Sequence, residues 1–187
     1  MMKRIFKNWS QTTLFSASQK PTHGKQPTPS LLRIISGGVG AFIGIGTLAF
    51  LVEAVPELEL LVIGSFGASA VLLYGAPKAP FSQPRNLLGG HLLSAIVGLL
   101  CFKYLPDLNG LQEASAVSLA IMLMLLTKTM HPPGGATALI AVIGSDYLHT
   151  LGWGYVFLVM MGAGVMLMIA MVVNNLANPG SYPQRWD

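Results

Sequence analysis

Lys128 and His131 stand between two strongly apolar stretches, with Pro132, Pro133, Gly134 and Gly135 directly behind them. An ammonium and an imidazole beside two prolines and two glycines are placed to hold or pass an ion where the backbone is broken. His131 comes before two prolines, which favours an extended backbone there. Its ring can gate, shuttle a proton, or hydrogen-bond the broken backbone. Lys128 either snorkels from a helix end or acts as a cationic lure for a permeant ion. Pro133 suits the first position of a helix, where its missing N–H costs nothing.

A second stretch matches the first. Gly67-Ala68-Ser69-Ala70-Val71-Leu72 and Gly135-Ala136-Thr137-Ala138-Leu139-Ile140 share glycine, alanine, a small hydroxyl residue, alanine and two aliphatics, position by position. Each follows a backbone breaker and opens an unusually short apolar run. Broken backbone at membrane depth is tolerated only inside protein or beside a water-filled cavity. The first N–H groups of a half-helix lack intrahelical partners and carry about half a positive charge. Two such ends facing one point would form an anion site. The expected substrate-binding set is therefore Ser65, Gly67, Ala68, Ser69, Lys128, His131, Gly134, Gly135, Ala136 and Thr137. Two half-helix starts, near Gly67 and Gly135, should face each other.

The elements that must position these residues read as membrane spans. The chain of 187 residues is 52% hydrophobic and 10% charged, with mean hydropathy +0.60; soluble domains carry about a quarter charged residues. Apolar runs lie at about 34–55, 58–74, 87–104 and 114–128, followed by a short fifth run that ends at Gly144 and a sixth at about 151–176. The fifth holds only about a dozen residues, where a full crossing needs roughly twenty. The loop after the second, from Gly75 to Asn86, contains Pro77, Pro80 and Pro84, which keep it non-helical. Expected domains are a basic cytoplasmic tail (1–33), a transmembrane domain (34–177) and a short cytoplasmic tail (178–187), with Tyr182 and Trp186 at the interface. The expected fold is an all-α membrane protein of about six transmembrane segments, two of them short or broken half-helices, in a 3+3 inverted repeat.

Charge placement agrees with this topology. With the N-terminus in the cytoplasm, Lys3, Arg4, Lys7, Lys20, Lys25, Arg33, Lys78, Arg85, Lys128 and Arg185 fall inside, and Glu53, Glu57, Glu59, Asp107, Glu113 and Asp146 fall outside; Lys103 and Asp187 depart from the pattern. Lysine and arginine bias fixes orientation. The net charge of +4 is spread over tails and loops, so nucleic acid is not an expected partner. The residues before Arg33 hold no apolar core of a secretory signal; their Ser/Thr content and lack of acids resemble a transit peptide, with a basic tail as the plainer reading. Lone Cys101 reads as a small apolar core residue, and no histidine pair has metal-ligand spacing on one helix. Neither metal nor cofactor is expected. No Ser-His-acid or paired-carboxylate set is available, so an enzyme is not expected either. His91, behind Gly89 and Gly90, reads as a structural cap. Asn174 and Asn175 satisfy broken backbone or line an exit. The glycine face at Gly37, Gly38, Gly40, Gly44 and Gly46 allows close helix approach, and a homo-oligomer is a possible partner state.

The string from Lys128 to Leu139, with His131-Pro132-Pro133-Gly134-Gly135-Ala136-Thr137, resembles the signature of the HPP family of integral membrane proteins. The likeness extends to Gly64-Ser65-Phe66-Gly67-Ala68-Ser69-Ala70, Gly75-Ala76-Pro77, Gln83-Pro84-Arg85-Asn86, Gly89-Gly90-His91 and Asn174-Asn175, covering about residues 31–186. The resemblance implies a transmembrane protein, and cyanobacterial and chloroplast-envelope relatives are associated with nitrite transport. It thus points to nitrite passage across a bacterial plasma membrane, or a chloroplast envelope as the alternative. The residues themselves reach only a small-anion site, leaving nitrate, formate and chloride open, as well as channel or proton-coupled carrier. A channel for a small neutral solute and a non-transporting sensor or assembly subunit are the rival expectations.

Overall fold

The computed structural model describes residues 28–53 and 62–186. The basic run from Lys3 to Lys25, with His23, and the acids Glu57 and Glu59 lie outside the described residues. The chain divides into two units, 1–30 and 31–187, and all helices described below belong to the second.

The described residues are helical throughout, joined by turns. Helix α1 spans Leu31–Val52. Segment α2 runs without interruption through a π-helical turn Val62–Phe66, an α-turn Gly67–Ala70 and a second π-helical turn Val71–Gly75. After a 3₁₀ turn at Pro80–Ser82 come α3, Pro84–Tyr104, and α4, Leu111–Thr127. Helix α5 is Pro133–Ile143, α6 is Asp146–Leu151, and α7 is Trp153–Ala177. Among the described residues, three helices, α1, α3 and α7, are long and apolar enough to cross a membrane. At 1.5 Å per residue, the 11 residues of α5 reach only about 16 Å, roughly half of a hydrocarbon core.

Several local expectations change. Gly67 does not start a half-helix: Phe66 before it already has helical backbone angles, and the helical bonds pass through it. Pro84 is not loop but the first residue of α3, the position at which proline loses no hydrogen bond. The connection at 146–150 is itself a helix, capped by Ser145, whose side chain accepts from Leu148 N. Tyr182 is not at an interface but buried, its hydroxyl donating to Ser82 O at 2.7 Å. Asn175 holds the same segment by accepting from Tyr182 N and donating to Tyr182 O. The residues after α7 are therefore tied down onto the turn before α3, while Trp186 is exposed.

The π-helical end of α2 leaves carbonyls that its own turn cannot satisfy. Other elements supply the donors. Asn174 Nδ2 donates to Leu73 O at 3.1 Å, and Arg33 Nη2 donates to Tyr74 O at 2.7 Å and lies 3.2 Å from Gly75 O. Asn174 thus serves broken backbone from α7.

Small residues set the helix spacing, as expected where lipid offers no hydrophobic contrast. Ala116 and Ala120 of α4 meet Val97 and Cys101 of α3 and Ala138 and Val142 of α5 in one buried cluster. Tyr74 lies across the glycine face of α1: a Cβ on Gly44 would come 3.0 Å from two of its ring carbons, whereas one on Gly46 would meet nothing within 4 Å. Gly44→Ala should therefore destabilise by about 1–3 kcal/mol, the usual cost of overpacking. Gly46→Ala should be neutral or slightly stabilising through helix propensity. Thermal unfolding of the two variants in detergent checks the contrast; equal melting temperatures would remove Tyr74 as the cause.

Candidate functional site

The site is built by close backbone approach. A Cβ on Gly134 of α5 would come 2.7 Å from Ser94 Oγ and 3.0 Å from Gly90 O, both on α3. One on Gly90 would meet the Cβ of His131. Only residues without side chains let α3 and α5 come this near. The consequence is that His91, next to Gly90, is pressed into the groove between α5 and α2.

Five polar side chains meet there. Ser65 and Ser69 come from α2, His91 from α3, His131 from the stretch before α5, and Thr137 from α5. Each is 0% exposed. Ser69 Oγ lies 3.0 Å from His91 Nε2 and 3.0 Å from His131 Nε2. Thr137 Oγ1 lies 2.8 Å from His91 Nδ1 and 2.5 Å from Ser65 Oγ. His131 Nδ1 lies 2.8 Å from Phe81 O. The two imidazoles are 4.8 Å apart between centroids, and Phe66 covers His91 at 5.2 Å. Tyr155 of α7 closes the group by donating to Thr137 O at 2.6 Å.

The matched hexapeptides therefore meet. Their equivalent hydroxyls, Ser69 and Thr137, hold the two nitrogens of one ring, His91. The backbone amides near them are not spare donors, however. Gly134 N donates to His131 O at 2.8 Å and Gly135 N to Pro132 O at 3.0 Å. Pro133, as expected, stands at the first helical position and has no N–H. The expected pair of open half-helix ends is replaced by side-chain donors.

The network fixes the tautomers. Phe81 O can only accept, so His131 carries its proton on Nδ1 and its Nε2 accepts. Ser69 supplies that proton. Its other acceptor is Ser65 O at 3.1 Å, but leaving His131 Nε2 buried without a donor would cost about 1–3 kcal/mol. Ser69 Oγ then accepts from His91 Nε2–H, His91 Nδ1 accepts from Thr137, and Thr137 accepts from Ser65. Thr137, His91, Ser69 and His131 each donate once and accept once, and Ser65 only donates, so the chain runs in a single direction from Ser65 to Phe81 O.

Of the expected residues, Ser65, Ser69, His131 and Thr137 converge, and Gly134 is buried beside them. Gly67, Gly135 and Ala136 are half-buried, and Ala68 is exposed. Lys128 is exposed as well, ending α4 in the left-handed region at φ 58°. Sequence reasoning placed His91 outside the site as a cap; its partners lie 22 and 46 residues away. Tyr155 was missed entirely. The signal that could have found His91 was the pair of glycines before it, a mark of close backbone approach.

Comparison with known proteins accords with a membrane location. The chain is 43% identical over 189 residues to one transmembrane protein of Dictyostelium discoideum, covering 98% of this chain and 63% of that protein. It is 46% identical over 154 residues to a second transmembrane protein of the same organism, covering 79% of this chain and 49% of that one. The chain thus spans less than two thirds of the length of these relatives. No solved structure matches it. The family described as HPP, transmembrane region, matches residues 26–183. With that match over most of its length, this chain belongs to the HPP transmembrane family.

Proposed function

We propose that this chain carries a small anion, with nitrite as the first candidate, across the membrane through the cluster of Ser65, Ser69, His91, His131 and Thr137. One observation carries the reading: five polar side chains converge, fully buried, in a bundle whose outer surface is apolar. Polar groups at membrane depth are costly and mark substrate or ion pathways by default. Three hydroxyls and two ring N–H groups, which here serve one another and Phe81 O, are the donors that turn to a small oxyanion when it enters. Nitrite as the substrate rests on the family resemblance, and nitrate, formate and chloride share the required chemistry. The topology we propose has about six spans with both termini in the cytoplasm; the matched hexapeptides favour an inverted arrangement of halves. A bacterial plasma membrane is the proposed location, with the chloroplast envelope next. The chain is proposed not to be an enzyme, because no nucleophile–base pair with an orienting acid stands in the cluster.

Protein-containing liposomes should take up nitrite, with nitrate, formate and chloride as competitors that rank the site's preference. Lys128→Gly, which suits the left-handed backbone at that position, should slow uptake at low ionic strength and matter less at high salt, as expected of a surface charge acting at a distance. A second reading has its own observation: no permanent charge sits in the cluster, which suits a small neutral solute. Uptake of water or glycerol with no anion flux would select it. A protein that moves neither would be a sensor or assembly subunit.

A further inference from the structure

We infer that the cluster takes up one proton with each anion, so that transport is a one-to-one, electroneutral proton–anion symport. The inference rests on the anion reading above and supplies what that reading lacks, a charge to balance the anion.

A buried anion needs a partner of opposite charge. Among the described residues, fixed cations do not supply it. The side chains of Lys78, Arg85, Lys103, Lys128 and Arg185 are exposed. Arg33 is engaged with Tyr74 O and Gly75 O at the far end of α2. Among the described residues, the titratable groups facing the two imidazoles are therefore few. α3 presents His91, the 128–132 stretch His131, and α7 the Tyr155 hydroxyl that donates to Thr137 O. From α2, Tyr74 turns away toward α1. From α4, Met124 lies against Gly90, while Glu113 is in that helix's first turn. Asp146 likewise opens α6, and Glu53 and Asp107 lie just beyond the ends of α1 and α3. The positive charge that can face the anion is an imidazolium.

The hydrogen-bond chain can deliver it. A proton arriving at Ser65 Oγ lets Ser65 pass its own to Thr137 Oγ1. Thr137 passes its own to His91 Nδ1, His91 passes its Nε2 proton to Ser69 Oγ, and Ser69 passes its own to His131 Nε2. Each step breaks one O–H or N–H bond and forms one. Ser65, Thr137, His91 and Ser69 end neutral. The excess proton rests on His131, whose Nδ1–H stays on Phe81 O. Release of that proton from Nε2 with the anion leaves every member neutral, with His91 protonated on Nδ1; loss of that proton to water and gain of one at Nε2, with a turn of the three hydroxyls, resets the direction. With the rings 4.8 Å apart, a charge on one opposes a charge on the other, which sets one proton per anion.

The test uses the 187-residue protein in vesicles of zwitterionic lipid holding a trapped pH dye, with nitrite added outside. Protein-free vesicles give the passive entry of the free acid, which is subtracted. The expected result is internal acidification matching nitrite entry one to one, with an initial rate unmoved by a potassium–valinomycin potential. His91→Gln should lower nitrite and proton entry together by about a hundredfold, the lower end of what a positioned proton-transfer group contributes. Nitrite entry without acidification, accelerated by an inside-positive potential, overturns the coupling and leaves the anion reading standing. Absence of any anion entry above protein-free vesicles overturns both. If His91→Gln does not elute as folded protein, the stoichiometry of the unmodified protein decides alone.

Discussion

Gly90→Val is expected to leave almost no folded protein. The Cβ it adds would collide with the Cβ of His131, lie 3.1 Å from Thr129 O and come 3.4 Å from Met124 Sδ. Two of these three are backbone or next to it, so no flexible side chain can swing aside. On the other side of the contact, a Cβ on Gly134 would come 3.0 Å from Gly90 O and 2.7 Å from Ser94 Oγ, so the two backbones are already at close approach there. Overpacking commonly costs about 1–3 kcal/mol and more where the backbone must shift. Against a total stability of about 5–15 kcal/mol, a cost above that range in a contact holding three elements together should be decisive. Gly135→Ala is the control, because a Cβ there would meet nothing within 4 Å. The measurement is the monodisperse fraction after detergent extraction. Recovery of Gly90→Val at the level of Gly135→Ala would show that Gly90 does not pack against the 129–131 stretch.

The same contact explains which features could be read in advance. Membrane class follows from composition, and the helix α3, α4 and α7 boundaries lie within three residues of the apolar runs, because hydropathy is a local property. The shortness of α5 and the helical start at Pro133 are likewise local. The site is not. His91 finds Ser69 and Thr137 only because Gly90 and Gly134 remove the side chains between two helices, a fact about pairs of distant residues. The path of α2 escaped for another reason. Its second π-helical turn is stabilised from outside, by Asn174 and Arg33, so nothing within Val62–Gly75 announces it, and Gly67 reads as a breaker although helical bonds run through it. Tyr182 reads as an interfacial aromatic because its acceptor, Ser82 O, is a backbone atom 100 residues away. The matched hexapeptides were informative about location and misleading about chemistry: they do come together, but through hydroxyls rather than free amides.

Thr137→Val should abolish transport while the protein still folds. Valine has nearly the shape of threonine, so the packing of α5 against α2 and α3 is kept. What is lost is the hydroxyl that joins Ser65 to His91 Nδ1. Two buried groups then lose a partner. Ser65 keeps an alternative, Pro133 O at 3.1 Å, but His91 Nδ1 has no second partner in the network and is left without its donor. Exposing a buried acceptor in this way costs about 1–3 kcal/mol, which should lower the melting temperature without preventing assembly. The effect on transport should be far larger than on stability. The anion loses a donor from α5, and the hydrogen-bond chain is cut at its second link. Uptake should fall by at least about a hundredfold, the scale associated with removing a positioned proton-transfer group. Thr137→Ser restores the oxygen but not the methyl and should recover most of the uptake, at a small cost in packing. A purely structural Thr137 predicts the opposite order, with valine, the better filler, functioning better than serine. Parallel uptake and melting measurements on the two variants separate these outcomes, because only a hydroxyl acting on the permeant ion makes the valine variant lose uptake far beyond its modest loss of stability while serine keeps most of both.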